Sequence, residues 1–207
     1  MLEVEIRSII TNKEEIISRL IENNFKQDEP FEQHDIILDT PKADFFNNKQ
    51  KIRLRIEKGK AEITYKGKTD FGQNVSKRKE INIPVQTSSV DDIVDFFTSI
   101  GYPICFQIKK TREIFCKDGI TVSLDQWPII GCMMEIEGEE NKITQLAKKV
   151  VPEYDFKNYR LRDLFEFEQK RKNMSLTELK EEHYKNTEFD IGNIELILKW
   201  KRERYLK

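Results

Sequence analysis

A strict alternation of apolar and charged side chains, repeated along the chain, is the feature that most constrains its fold. Between Leu2 and Arg7 the even positions are apolar, and the odd positions carry two carboxylates and a guanidinium. The pattern recurs in Lys51–Glu57, where the odd positions are Lys, Arg, Arg and Glu. Because successive side chains of a β-strand point to opposite faces, each segment predicts a strand with one apolar and one charged face.

Eight strand segments, nearly all with charged side chains at i, i+2 spacing, are separated by short turns and three helical stretches. The predicted strands are 1–7, 31–39, 51–57, 61–66, 75–85, 104–116, 120–126 and 132–137. Lys58-Gly59 and Asp118-Gly119 indicate tight hairpin turns. Helices are predicted at 14–24, 88–100 and 140–150, after the first, fifth and last strands. This order predicts an α+β fold in which an eight-stranded antiparallel sheet closes into a barrel, or tunnel, with the helices packed outside.

Two of the helices begin with capping signals. Thr11–Glu14 is typical of a capping box, as is Ser88–Asp91. In the second helix we expect one apolar stripe to face the sheet. That stripe consists of Ile93, Phe96, Phe97 and Ile100.

A closed barrel with its apolar faces under the helices would collect the charged faces inside. The cationic set would be Arg7, Arg53, Arg55, Lys66, Arg78, Lys110 and Arg112. The anionic set would be Glu3, Glu5, Asp39, Glu80, Asp125, Glu135 and Glu137. A buried ion without a partner costs several kcal/mol, so these groups need ion pairs or a ligand. Phosphate oxygens with divalent cations would satisfy both signs, whereas cross-strand salt bridges on an ordinary polar face are the alternative.

Composition narrows the classes of partner. The chain has 36 basic and 37 acidic residues, a balance that argues against a nucleic-acid partner. There is neither an apolar run of about 18 residues nor a signal-peptide pattern, so we expect no membrane partner. Cys105, Cys116 and Cys132 lack metal-ligand spacing and are expected to be small strand hydrophobes in a reducing, cytoplasmic location.

The charged blocks resemble a known family. Glu3–Arg7 resembles the N-terminal Glu-x-Glu-x-Lys signature of the CYTH proteins, also called triphosphate tunnel metalloenzymes. Seven later blocks match in order: 35–41, Ile52–Arg55, Thr64–Gly67, Arg78–Glu80, Lys110–Arg112, Leu124-Asp125 and Gly131–Glu137. The resemblance covers about residues 1 to 165 and implies an eight-stranded antiparallel β tunnel that binds a triphosphate.

The resemblance also implies roles for individual residues. It assigns the metal, Mg²⁺ or Mn²⁺, to Glu3, Glu5, Glu135 and Glu137, with Asp125 as a further candidate. It assigns the phosphates to Arg53, Arg55, Lys66, Arg78, Lys110 and Arg112. Arg7, Glu80 and Asp125 are implied as catalytic residues, with Glu80 orienting the basic residues or a metal-bound water.

Three positions depart from the family pattern. Arg7 stands where Lys is usual, which keeps phosphate binding but excludes a role for a neutral amine, since Arg stays protonated. Asn82 replaces an acidic residue, and Ile37 replaces a tyrosine. We expect the first of these two to weaken one metal contact and the second to change packing.

The block pattern is most similar to the class IV adenylate cyclase branch, particularly in Gln33–Asp35 and Lys110–Phe115. This resemblance implies conversion of ATP to cyclic AMP and pyrophosphate. Hydrolysis of tripolyphosphate, a nucleoside triphosphate or thiamine triphosphate is the close alternative, and a non-catalytic binding module is a third. We expect a tunnel domain at 1–168 and a helical appendage at 169–207, and the sequence leaves a homodimer open.

Overall fold

The computed structural model describes residues 2–10, 12–68, 70–71, 75–127, 131–151 and Asn173. The side chains of Ile9, Phe71 and Phe106 are outside this description. The predicted boundary at 168/169 and, apart from Asn173, the predicted helical appendage at 169–207 lie outside the described residues.

Ten strands and four α-helices lie within the described residues. The strands are β1 (Leu2–Ile10), β2 (Lys26–Gln27), β3 (Phe31–Leu38), β4 (Lys51–Glu57), β5 (Lys60–Lys66), β6 (Asp70–Phe71), β7 (Ser76–Val85), β8 (Ile104–Lys117), β9 (Ile120–Trp127) and β10 (Gly131–Glu137). The helices are α1 (Lys13–Glu22), α2 (Asp44–Asn47), α3 (Val90–Ser99) and α4 (Glu140–Val150). All eight predicted long strands and all three predicted helices are confirmed, and β2, β6 and α2 are short additions.

The long strands pair antiparallel in the order β1-β10-β9-β8-β3-β4-β5-β7, and β7 pairs back with β1. This pairing confirms the predicted closed eight-stranded barrel. Both predicted hairpin turns have left-handed backbone: φ is 46° and 70° at Lys58 and Gly59, and 48° and 77° at Asp118 and Gly119. No helix in the described part of the chain is long and apolar enough to span a membrane.

The chain divides into two compact units. Among the described residues, the first unit holds 2–10, 12–32, 70–71, 75–78, 110–127, 131–151 and Asn173, and the second holds 33–68 and 79–109. Strands β7 and β8 therefore contribute residues to both units, with the divisions after Arg78 and after Lys109.

The first unit has its apolar core between its strands and helices α1 and α4. Ile6, Phe115 and Ile136 from the strands are buried in one cluster with Leu20 of α1 and Ile143 of α4. The outward-facing positions of the alternating strands thus supply the core, while the charged positions lie on the opposite face. The first capping box is shifted by one residue from the prediction, because the N-cap is Asn12, whose side chain accepts a hydrogen bond from the backbone N–H of Glu15.

The second unit has a smaller core under α3. Ile93 and Phe97 pack against the cluster formed by Ile36, Leu38 and Leu54, as the sequence predicted. The prediction was wrong for the other two members of the stripe, since Phe96 is 60% exposed and Ile100 is 52% exposed. The helix turns a different stripe to the core, in which Val90 and Val94 accompany Ile93 and Phe97 at i, i+3, i+4 and i+7 spacing.

Candidate functional site

The charged faces of β1 and β10 form the acidic part of the first unit. The register places Glu5 directly opposite Glu137 and Arg7 directly opposite Glu135. A carboxylate oxygen of Glu3 joins those of Glu5 and Glu137 in a group whose ligand atoms all lie within 4.8 Å of one another. Two carboxylates directly opposite across strands repel, so a cation between them is favoured. Oxygen ligands of this kind suit Mg²⁺ or Mn²⁺.

Arg7 is bound tightly to the other carboxylate of this ladder. Its Nε donates to Glu135 Oε1 at 2.8 Å and its Nη2 lies 2.6 Å from the same oxygen. The Nη2 also lies 3.3 Å from each carboxylate oxygen of Glu5. Burial lowers the pKa of Arg7, but Glu5 and Glu135 raise it more, so its net pKa is above the ordinary value. Arg7 is therefore a permanent cation inside the acidic cluster.

Arg78 supplies a second guanidinium to the same carboxylates. Its Nε donates to Glu3 Oε2 at 2.5 Å, and its Nη2 donates to Glu5 Oε1 at 3.2 Å. Burial lowers the pKa of Arg78, whereas the charges of Glu5 and Glu3 raise it beyond the ordinary value. Ser76, which lies on the same face of β7 as Arg78, donates its hydroxyl to Glu5 Oε1 at 3.0 Å.

Lys110 and Arg112 share the buried carboxylate of Asp125. Asp125 has no exposed surface, and both Arg112 Nε and Arg112 Nη2 donate to it at 2.6 Å. Lys110 Nζ donates to Asp125 Oδ2 and lies 4.8 Å from the ring centroid of Trp127. Arg112 Nη2 also reaches Glu135 Oε2 at 3.0 Å. Asp125 thus fixes the direction of two predicted phosphate-binding cations and is not in the group of three close carboxylates.

The second unit carries its own set of charges on β3, β4 and β5. Asp35 lies opposite Arg55 and accepts from its Nε at 2.7 Å and from its Nη2 at 2.8 Å. Arg53 is buried and donates from Nη2 to the hydroxyl of Thr64 at 3.1 Å. Thr64 in turn donates to Glu62 Oε1 at 3.2 Å. Arg55 is thus oriented by a bidentate carboxylate, which is a stronger interaction than the bond from Arg53 to a neutral hydroxyl.

Lysines meet across β4 and β5 in the same unit. Lys66 lies opposite both Lys51 on β4 and Glu80 on β7. Lys66 Nζ is 2.9 Å from Glu80 Oε2, and the orienting role of Glu80 stays a prediction. The Lys51–Lys66 pair is the basic counterpart of the Glu5–Glu137 pair, and its repulsion favours an anion.

One residue of the predicted inward set has a different task. Asp39 is buried, and its two carboxylate oxygens accept from the backbone N–H groups of Thr40, Phe45 and Phe46. It holds the short helix α2 against the end of β3 and was wrongly predicted as a partner for the cations. Asn82, one of the departures from the family pattern, is exposed.

Sequence reasoning missed three residues that belong to these clusters: Asp35, Lys51 and Ser76. Lys51 and Ser76 each lie two positions before a predicted site residue, Arg53 and Arg78 respectively, and so share its face of the strand. Asp35 lies opposite Arg55. The alternation itself was the signal that could have added all three to the charged face.

The CYTH domain family matches residues 1–158 of the chain. A protein of Methanocaldococcus jannaschii named "putative adenylate cyclase" is 31% identical over 149 residues, which are 72% of this chain and 83% of that protein. The structure of the PH1012 protein from Pyrococcus horikoshii OT3 is 22% identical with a TM-score of 0.66, and the match covers 78% of this chain and 98% of that one.

A structure from Hippeastrum, described as a putative adenylyl cyclase with a dominant triphosphatase activity, is 15% identical with a TM-score of 0.61. That match covers 84% of this chain and 97% of the other. The two structural likenesses concern the fold, while the family match extends over more than half of the sequence. The chain belongs to the CYTH domain family.

Proposed function

We propose that this protein is a divalent-metal-dependent enzyme that acts on a triphosphate. The observation that carries the proposal is the acidic group of the first unit, in which Glu5 and Glu137 face each other across two strands with Glu3 beside them. Such a group favours a cation, and guanidinium and ammonium groups suited to phosphate oxygens lie in the same unit.

The chain's own residues have separable tasks in this proposal. Lys110, Arg112 and Arg78 bind and orient phosphate oxygens, and Asp125 holds the first two in direction. The second unit's proposed phosphate ligands are Arg53, Arg55 and Lys66, with Glu80 orienting Lys66.

The proposed metal carboxylates are those of the acidic group, Glu3, Glu5 and Glu137, and the family resemblance adds Glu135 to them. The bound Mg²⁺ or Mn²⁺ would neutralise phosphate charge and act as a Lewis acid on the phosphoryl group.

The first candidate reaction is that of a class IV adenylate cyclase. The ribose 3′-hydroxyl of ATP attacks the α-phosphorus, the bond to the β-phosphate oxygen breaks, and cyclic AMP and pyrophosphate result. The name of the Methanocaldococcus jannaschii relative supports this choice, as does the match of blocks at Gln33–Asp35 and Lys110–Phe115.

The second candidate is hydrolysis of tripolyphosphate, a nucleoside triphosphate or thiamine triphosphate at the terminal phosphorus. The description of the Hippeastrum protein favours it by analogy, since a cyclase-like protein is there said to be mainly a triphosphatase. A non-catalytic binding module is less well supported, because all the carboxylates of the acidic group are retained.

Product analysis separates the candidates. Purified protein is incubated with ATP or with tripolyphosphate, each with Mg²⁺ and with Mn²⁺, and the products are identified by ³¹P NMR and chromatography. Cyclic AMP with pyrophosphate identifies a cyclase, and orthophosphate identifies a triphosphatase. Binding of both compounds without any product, in each metal, would contradict the proposal and leave the binding module.

Two further expectations belong to the same proposal. A cytoplasmic location is supported by the free thiols, two of which, Cys105 and Cys132, are buried. Cys116 is exposed, so its expected role as a small strand hydrophobe was wrong in that respect.

A homodimer is tested by measuring the mass of the particle in solution by light scattering.

A further inference from the structure

The polar face of the second unit changes character along β4. At the start of the strand, Lys51 lies opposite Lys66 of β5, and Arg53 shares the same face of β4. At the end of the strand, Glu57 lies opposite Gln33 of β3, and both of these side chains carry hydrogen-bond acceptors. Arg53 and Glu57 are about 13 Å apart along the strand, at about 3.3 Å per residue. The face therefore has a basic end suited to phosphate and an acceptor end suited to a different chemical group.

Gln33 is the buried residue of the acceptor end. It is 1% exposed, and its Nε2 donates to Glu57 Oε2. This bond fixes the orientation of the amide and leaves the carbonyl oxygen, Oε1, as its acceptor. Within the part of the chain that the structure describes, Gln33 Oε1 is buried and has no hydrogen-bond partner. A buried carbonyl oxygen without a donor is unfavourable, so a ligand that supplies an N–H group here would be stabilised.

The cations beside this amide are engaged or exposed. Arg55 donates from Nε and Nη2 to the two carboxylate oxygens of Asp35, which lies on the same face of β3 as Gln33. Lys60 lies opposite Glu57 on β5 and is exposed. Glu57 itself is only partly buried, so a ligand can approach this end of the face.

We propose that Gln33 and Glu57 recognise an amino group on the organic part of the triphosphate substrate. An exocyclic amine has two N–H donors, one for Gln33 Oε1 and one for the carboxylate of Glu57. Adenine and cytosine carry such an amine, whereas hypoxanthine and uracil carry an acceptor oxygen in its place. The pair then selects a nucleoside triphosphate with an amino-substituted base over tripolyphosphate, which has no organic part.

This inference rests on the proposed function, because phosphates bound by Arg53 and Arg55 are what bring the base to Gln33 and Glu57. It adds a selectivity that those cations do not supply, since every triphosphate offers them the same oxygens. A base with a carbonyl oxygen in place of the amine would face two acceptors and leave all of them without a proton. Sites built to hydrogen-bond a substrate N–H group reject analogues without it strongly.

The test compares ATP with inosine triphosphate, in which a carbonyl oxygen replaces the amino group of adenine, and CTP with UTP. Dissociation constants are measured by isothermal titration calorimetry in EDTA, with tripolyphosphate as the probe of the phosphate-binding groups. We expect the wild type to bind the amine-bearing member of at least one pair about 30-fold more tightly or better. The pair that shows this selection identifies the base as a purine or a pyrimidine.

The variant Gln33→Leu should lose the selection. We expect its preference for the amine-bearing nucleotide to fall below about threefold, with a change in tripolyphosphate affinity of less than about threefold. The matched control is Gln107→Leu, the same substitution at an amide whose Oε1 lies 2.9 Å from Nε2 of His34, on the other face of β3. This control should keep the wild-type preference.

Equal wild-type affinities within both nucleotide pairs, with tripolyphosphate bound, would overturn the inference and leave the proposed function standing. A preference that persists in Gln33→Leu would also overturn it. A wild-type protein that binds neither ATP nor tripolyphosphate at millimolar concentration, in EDTA or with Mn²⁺, would overturn both.

Should Gln33→Leu fail to fold, Glu57→Ala provides a second test at a less buried position. Loss of its carboxylate should lower the preference for the amine-bearing nucleotide at least about fivefold. An unchanged preference in Glu57→Ala would contradict the inference.

Discussion

Each of the two units contains a cross-strand pair of like charges, and the sign of the pair differs between the units. In the first, two glutamates meet across β1 and β10, and in the second two lysines meet across β4 and β5. Each pair of like charges is unfavourable by itself, because the strand register places its two members directly opposite each other. The acidic pair favours a cation, and the basic pair favours an anion.

The surroundings of the two pairs differ in a way that matters for chemistry. The acidic pair of Glu5 and Glu137 is joined by a third carboxylate, which makes it a ligand group for a divalent ion. Lys66 of the basic pair is already held by one carboxylate, that of Glu80. The first unit is therefore suited to hold a metal ion, whereas the second is suited to orient phosphate oxygens.

The largest effect is expected from the acidic pair. Glu5→Gln should lower kcat at least about 100-fold at saturating Mn²⁺ and substrate, because it removes charge from the group that holds the metal. The loss is measured by steady-state kinetics with ATP and with tripolyphosphate. Glu139→Gln, an exposed change just before α4, serves as the control and should leave kcat unaltered. A Glu5→Gln enzyme with wild-type kcat would contradict the proposal that the acidic group of the first unit holds the metal ion.

A smaller kinetic effect is expected in the second unit. Arg53→Ala should raise KM for the triphosphate by about tenfold or more with a smaller change in kcat, since a guanidinium that binds phosphate in the ground state contributes to uniform binding. Lys58→Ala, at the exposed hairpin turn, is the control. Identical kinetics for Arg53→Ala and the wild type would show that this guanidinium of the second unit has no role in substrate binding.

The Arg55–Asp35 pair tests whether the second unit's charges are structural as well. Asp35→Asn should lower the free energy of unfolding by about 3 kcal/mol, because the partly buried guanidinium of Arg55 loses its bidentate acceptor. The exposed pair of Lys142 with Glu139 provides the control, since Glu139→Gln should change stability by less than about 0.5 kcal/mol. Urea unfolding measures both. Equal changes in the free energy of unfolding for Asp35→Asn and Glu139→Gln would mean that the different exposure of the two ion pairs does not change their contribution to stability.

The last prediction concerns an effect that is absent at neutral pH, that of two buried thiols, one in each unit. Burial raises the pKa of Cys105 from 9.0 to about 11 and that of Cys132 to about 12. Above about pH 9 the unfolded chain releases these protons while the folded chain keeps them, so the free energy of unfolding should fall as pH rises towards the folded pKa values.

This pH dependence is measured by urea unfolding between about pH 8 and about pH 11. Cys132→Ala should flatten the decline, and Cys116→Ala, which changes an exposed thiol, should leave it unchanged. A decline that is the same in all three proteins would assign it to other groups.

The strands and their faces could be predicted from the sequence because charged side chains at i, i+2 spacing recur in most of the long strands. Arg53, Lys66, Lys110, Arg112, Asp125 and Glu135 are all buried polar residues, as the charged interior face requires. The two hairpin turns could also be predicted from the sequence, because the residue pairs Lys58-Gly59 and Asp118-Gly119 indicate the left-handed backbone conformation that the structure has there.

The alternation of side chains along a strand does not predict which distant strand it pairs with, or in which register. The pattern places Glu135 and Glu137 on one face of their strand, yet only the register shows that they lie opposite Arg7 and Glu5. The role of Asp39 depends on α2, a four-residue helix too short to have a periodic signal. Phe96 was misplaced because the apolar stripe of α3 is wider than the surface it covers.

The metal dependence of turnover is the decisive measurement for the proposed enzyme. Protein freed of metal with EDTA is assayed with ATP and tripolyphosphate, and Mn²⁺ or Mg²⁺ is then added back in steps. We expect no turnover of either substrate without metal and a saturable return of activity on addition. Turnover that persists in EDTA would contradict the proposal, because the acidic group of Glu3, Glu5 and Glu137 would then have no part in the reaction.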